Sequence, residues 1–252
     1  MTDLRRFKLV LEYDGGPFVG WQRQDNGQSV QGAIEAAALG FCGLSCVAAA
    51  AGRTDAGVHA LAMPVHLDLP ARFDADTVRD ALNFHLKPHP IAVIEASEAP
   101  PDFHARFSAT GRRYLYRIVN RRAPLALDAG RAWRIGPRLD EAAMQSAAAF
   151  LVGRHDFTTF RAAQCQSASP VKTLSGLSVT RDADDVEVRA AAPSFLHHQV
   201  RSMVGTLCEV GLGRWRVDDV RLALAAADRA QCGPVAPPEG LYFVAADYEN
   251  RR

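Results

Sequence analysis

The chain has 252 residues, 48% of them hydrophobic, and its 29 basic and 28 acidic side chains leave a formal net charge of +1. That length and apolar content suit one large or two moderate globular cores and exclude a disordered chain. No run of about eighteen apolar residues offers a membrane span, and the near-neutral charge excludes a global field that would attract a polyanion.

The N-terminal "MTDLRRFKLV" lacks the apolar core and small-residue cleavage site of a secretory signal, so a cytoplasmic location is expected. The cysteines, Cys42, Cys46, Cys165, Cys208 and Cys232, are odd in number and scattered, as thiols in a reducing compartment are. Cys42 and Cys46 in "FCGLSC" have no histidine or further cysteine beside them. A zinc site normally takes four ligands, so no metal is expected there.

In chain order, "RFKLVLEYD" (6 to 14) alternates apolar and polar residues as a half-buried strand does, and stops at Gly15-Gly16-Pro17. Ser29 is placed to cap a helix over "VQGAIEAAALGF", with Gly40 near its end. "CVAAAA" and "MPVHLDL" read as short strands, Pro64 confining the second to an edge or a strand start. A helix over 75 to 86 and a strand over 91 to 97 complete the first half.

The second half repeats the rhythm. "RRYLYRIVN" reads as a strand, 140 to 153 as a helix ended by Gly153, and "LSGLSVTR" with "DVEVRAA" as a strand pair. Helices over 196 to 211 and 217 to 228 and a strand over 240 to 249 follow.

Pro100-Pro101 interrupt regular structure between the halves. The predicted fold is therefore α+β: two ferredoxin-like or RRM-like halves, 1 to 105 and 106 to 252, mostly antiparallel sheets side by side with helices on one face. The active-site cleft is expected between the halves.

Fold does not give function, so the chemistry must come from sites. There is no phosphate-binding G-x-x-x-x-G-K-[ST], no G-x-S-x-G elbow, and "GLGRW" lacks the third glycine of a dinucleotide fingerprint. His197 and His198, adjacent on an expected helix, would diverge by about 100° and cannot chelate one ion from one face.

Arginines number 26 against 3 lysines, and "GRRYLYRIVNRR" alone holds five, interleaved with Tyr114 and Tyr116. Guanidinium forks suit phosphates and stack on bases, and aromatics offer stacking platforms, so the stretch fits an RNA surface; a solvated strand face reads the same way.

"AGRTDAGVHA" (51 to 60) sets one carboxylate, Asp55, between Gly52 and Gly57, with Arg53 two residues upstream. Glycines permit positive φ or a close approach of a ligand, and a nearby guanidinium favours the ionised carboxylate, which suits a nucleophile. Locally, "TDAG" is equally a type I turn sequence.

Seven blocks stand together: "EYDGGPFVGWQRQ", "SVQGAIEAAA", "AGRTDAGVHA", "PDFHARFSATGRRYLYRI", "GRHDFTTFR", "SFLHHQVRSMVG" and "EGLYF". In order and spacing they resemble the tRNA pseudouridine synthase A family over nearly the whole chain. The resemblance implies isomerisation of uridine to pseudouridine at positions 38, 39 and 40 in the anticodon arm of tRNA, by a homodimer with two α/β domains per subunit. It implies no metal and no organic cofactor.

On the same footing, Asp55 is the catalytic nucleophile, attacking ribose C1′ or uracil C6 or assisting a glycal route. Arg53 is implied in extruding the base, Tyr114 in packing on it, Arg201 in pairing with Asp55, and Leu241 in the apolar wall of the base pocket. Gln22, Arg23, His59 and Arg106 lie in matching blocks and are expected tRNA contacts.

The chain departs from the family pattern at Ala62-Met63-Pro64, where a Gly-Gln pair is usual. Three other readings stay open: a synthase acting on other RNA uridines, a non-catalytic RNA-binding protein of this fold, and a hydrolase pairing Asp55 with Asp102 or Asp156.

Overall fold

The computed structural model describes residues 3–249. Its elements run β1 (Leu4–Tyr13), α1 (Val30–Cys42), β2 (Ala49–Ala50), β3 (His59–Pro70), α2 (Ala75–His85), β4 (Ile91–Glu98), β5 (Ala109–Val119), β6 (Trp133–Arg134), α3 (Glu141–Ala149), β7 (Gly153–Asp156), β8 (Val171–Leu174), β9 (Gly176–Asp182), β10 (Asp185–Ala192), α4 (Gln199–Gly211), α5 (Val217–Ala226) and β11 (Leu241–Tyr248). Mixed α and β structure with mostly antiparallel pairing is as expected.

The chain divides into two compact units, one running to Thr110 and resuming at Tyr242, the other spanning Gly111–Leu241. The last strand thus belongs with the first unit, because Tyr242 and Phe243 pair in parallel with His59 and Ala60 of β3. A division at 105 and 106 does not foresee this return of the chain.

In the first unit the strand order is β4-β1-β3-β11, with β2 also on β3. The alternation along β1 buries Phe7, Leu9 and Leu11 completely, and Met63, Val65, Leu67 and Leu69 of β3 join them. Ser29 caps α1, its hydroxyl accepting from the Gly32 N–H at 3.1 Å, and Asp74 caps α2 in the same way from Thr77 at 2.7 Å. α1 runs past Gly40 to Cys42 and stops at Gly43 in the left-handed conformation.

β3 begins four residues before the expected strand, inside "GVHA", and Pro64 lies within it. The proline is tolerated because the short β2 ladder ends there: Ala51 N–H donates to the Pro64 carbonyl at 2.9 Å, and the chain then turns away into the Asp55 loop.

In the second unit β5, β10 and β9 pair antiparallel in that order, β6 adds to β5 in parallel, and β7 and β8 form a separate ribbon. Tyr116 and Ile118 of β5, Val186 and Val188 of β10, and Met203, Val204 and Leu207 of α4 form the core. Gly153 opens β7 rather than closing α3, which ends at Ala149.

All five cysteines are unpaired thiols, and burial pushes the Cys46 thiol up to about 11. Among the described residues no helix is long and apolar enough to cross a membrane.

Candidate active site

Tyr13 at the end of β1 pairs with Ala60 at the start of β3, so the segment after β1 and the loop before β3 leave the sheet together. That loop carries Asp55, which is half-buried. Asp55 opens a four-residue turn: the Val58 N–H donates to its carbonyl at 3.2 Å. Gly57, the third residue, has φ 77°. A positive φ at that position alone is what a type II turn over 55–58 requires, one residue on from "TDAG". Gly52 is not among the glycines with positive φ, so of the two flanking glycines only Gly57 is used for its conformational freedom.

The segment after β1 braces this turn. Gly20 forms an antiparallel bridge with Asp55, and the Trp21 N–H donates to the Thr54 carbonyl at 3.0 Å. Gly20 has φ 113°, and a Cβ there would lie 2.7 Å from the Thr54 carbonyl oxygen, so both conformation and space require glycine. Beneath the loop, the Tyr13 and Thr54 hydroxyls meet at 2.8 Å in a buried hydrogen bond.

Tyr13, Gly20, Trp21 and Thr54 were not singled out by sequence reasoning. The available signal was a glycine between two large apolar residues in "FVGWQ", a position that no helical or strand period requires.

His59 is corrected from an expected tRNA contact to part of this scaffold. It is only 2% exposed, its Nδ1 accepts the Gly15 N–H at 3.0 Å, and its ring stacks on Tyr242 with centroids 4.7 Å apart. Asp14 Oδ1 lies 3.2 Å from the same nitrogen. A nitrogen accepting from Gly15 carries no proton, so in that tautomer the contact is not an ion pair.

Arg53 is exposed on the loop, and Gln22 and Arg23 are exposed on the stretch beyond Trp21. Arg23 lies 3.2 Å from Glu35. Arg106 is exposed on the connector after β4, its guanidinium 5.7 Å from the Phe107 ring centroid.

In the second unit Tyr114 sits on β5 opposite Ala190, half-buried, with its ring edge-on to Phe195 at 5.1 Å. Tyr116, two residues on, is fully buried and donates to the Pro237 carbonyl at 2.7 Å; burial pushes its phenol far above the usual range. Arg201 of α4 is tied to Ala236 twice, its Nε donating to the carbonyl at 2.8 Å and its own carbonyl accepting from the N–H at 3.1 Å. Leu241 is 6% exposed, and a Cβ on the preceding Gly240 would come within 2.6 Å of the Tyr116 ring. Arg201, Tyr116 and the 236–241 segment thus gather in one place, although far apart in sequence.

The histidine pair departs from expectation. α4 starts at Gln199, and His198 precedes it in the left-handed conformation with φ 63°, so the two rings stand side by side, 4.1 Å apart, instead of diverging around a helix. Asp156 spends a carboxylate oxygen on the Thr158 N–H at 2.8 Å, and Asp102 acts electrostatically on Arg6. Neither contact suggests the second member of a hydrolytic carboxylate pair.

A carboxylate on a turn held from below and from the side is suited to nucleophilic or electrostatic work, because positioning costs nothing further when substrate arrives. Comparison with known proteins puts a class to this arrangement. Residues 147–249 match the family described as tRNA pseudouridine synthase. The tRNA pseudouridine synthase A of Rhodospirillum centenum is 61% identical over 245 residues, covering 97% of this chain and 100% of that protein. The proteins of the same description from Afipia carboxidovorans and Parvibaculum lavamentivorans are 61% and 59% identical, each covering 99% of the relative and 96% and 97% of this chain. A chain of the solved Cbf5-Nop10-Gar1 complex overlays with a TM-score of 0.36 at 11% identity, covering 98% of this chain and 58% of that one. The chain belongs to the tRNA pseudouridine synthase A family.

Proposed function

We propose that this protein isomerises uridine to pseudouridine in tRNA, with Asp55 as its nucleophile. The observation that carries the reading is the braced Asp55 turn in a chain that shares close to its full length with tRNA pseudouridine synthases A.

The reaction breaks the ribose C1′ to uracil N1 bond, turns the base, joins C1′ to C5, moves a proton off C5 and returns one to N1. It is redox-neutral, and a single carboxylate can open it by attack at C1′ or at C6, or assist a glycal route. The target base is stacked in RNA and must be flipped out to reach a half-buried carboxylate. Arg53, exposed two residues upstream, is suited to take the vacated space and a phosphate.

The same reading gives Tyr114 the face of the extruded uracil, Leu241 the apolar wall, and Arg201 the pairing with Asp55. It takes each half as ferredoxin-like. The β4-β1-β3-β2 neighbours of the first unit support that fold for one half. The substrate uridines are those at positions 38, 39 and 40 of the anticodon arm, Gln22, Arg23 and Arg106 contact the tRNA, and the protein acts as a cytoplasmic homodimer.

The test incubates purified protein with unmodified tRNA and maps pseudouridine chemically. Wild type is expected to modify the anticodon arm and Asp55→Ala to give no product while still binding tRNA. Product elsewhere points to a different set of uridines. No product from wild type, or undiminished product from Asp55→Ala, overturns the reading.

A further inference from the structure

We propose that Thr54 is a positioning residue, gripped at both ends so that it fixes the direction in which the Asp55 carboxylate leaves the loop. The inference rests on Asp55 being the nucleophile and goes beyond it by naming what aims that group.

Thr54 is 7% exposed and immediately precedes Asp55. Its hydroxyl meets the Tyr13 hydroxyl at 2.8 Å, and its carbonyl accepts the Trp21 N–H at 3.0 Å. Tyr13 is the last residue of β1 and 4% exposed, so the grip reaches into the sheet itself. Trp21 is 3% exposed and lies 6.4 Å from Tyr13, ring to ring, which holds both partners of Thr54 in one packed cluster. On the far side of Asp55 the turn closes through the Val58 N–H.

The residue before the carboxylate is thereby held at its side chain and its backbone by two separate elements. Loss of the hydroxyl pair lets the Thr54 side chain rotate and the next residue follow it, and a displacement of about 1 Å at a reacting group can cost on the order of a hundredfold in rate.

Thr54→Val keeps the shape and removes the hydroxyl; Thr54→Ser keeps the hydroxyl; Tyr13→Phe removes the partner. Single-turnover pseudouridine formation on saturating tRNA is expected to slow about ten- to a hundredfold in Thr54→Val and Tyr13→Phe. It should stay within about threefold of wild type in Thr54→Ser, with tRNA affinity unchanged in all three. The double variant should be no slower than the slower single one, since both remove one bond.

Hydrogen exchange supplies a readout independent of turnover. The Trp21 and Val58 amides should exchange about tenfold faster in Thr54→Val, with the β1 and β3 amides unaffected. Wild-type rates in Thr54→Val, multiplicative losses in the double variant, or unchanged exchange at Trp21 and Val58 overturn the proposal. An inactive wild type that still shows the exchange effect refutes the nucleophile role of Asp55 and leaves the grip itself demonstrated.

Discussion

At the scale of single residues, the site depends on glycine where a side chain would collide with a backbone. Gly20 is strained for any other residue by its φ of 113°, and a methyl there would sit 2.7 Å from the Thr54 oxygen. Gly20→Ala is therefore expected to cost about 2 kcal/mol of stability. Because relief of the clash must displace Thr54 and Asp55, it should also lower the rate of pseudouridine formation by more than a hundredfold. Urea midpoints and single-turnover rates, measured on the same preparation, check both effects. Alanine at exposed Gly43, which also has positive φ but nothing within 4 Å of an added methyl, should cost only the backbone strain and leave the rate alone.

At the scale of elements, the connector after β4 is tied to β1 and β3 by polar groups. Arg6 forks onto Asp68 with two contacts of 2.8 Å and donates to the Pro101 and Phe103 carbonyls. His66 of β3 accepts the Ala105 N–H at its Nδ1, 3.1 Å away. Burial, the His104 ring and Arg6 hold the His66 imidazole down to about 4, well below its usual 6.5, and burial lowers His104 in the same direction. The unfolded chain then binds more protons than the folded one between pH 6.5 and about 4. The His66 contribution should fall as pH drops through that window, by roughly 2 to 3 kcal/mol for a shift of this size, and below it the depressed Asp68 carboxyl goes on lowering stability. Denaturant titrations at pH 7, 5.5 and 4 measure the slope, and His66→Gln should flatten it.

At the scale of the whole molecule, the chain is nearly neutral yet carries 26 arginines and only 3 lysines. Binding of tRNA through arginine–phosphate contacts releases counterions, so affinity is expected to fall steeply with salt. Each removed phosphate contact, among Arg23, Arg53 and Arg106, should lower the slope of log affinity against log salt by about one. Filter binding across a salt series reads this directly, and slopes equal to wild type in all three variants would remove these residues from the interface. The expected homodimer predicts a sedimenting species of about twice 27.3 kDa at working concentrations.

Periodicity and punctuation alone determined most of the elements. The alternation of β1, the capping serine of α1, and the turn between β9 and β10 are local signals, and local signals survive folding because side-chain direction follows backbone period. The motif set also singled out Asp55, the proposed nucleophile, because it falls in one short loop. What only the tertiary structure decided is long-range. The return of β11 to the first unit, the burial of His59 against Tyr242 and the tie between Arg201 and Ala236 join residues from 35 to 183 positions apart. Such pairings leave no period in the sequence. The grip of Tyr13, Gly20 and Trp21 on Thr54 and Asp55 was hidden for the same reason: it consists of backbone bonds and one buried hydroxyl pair, which residue types do not announce until the sheet has brought the two loops together.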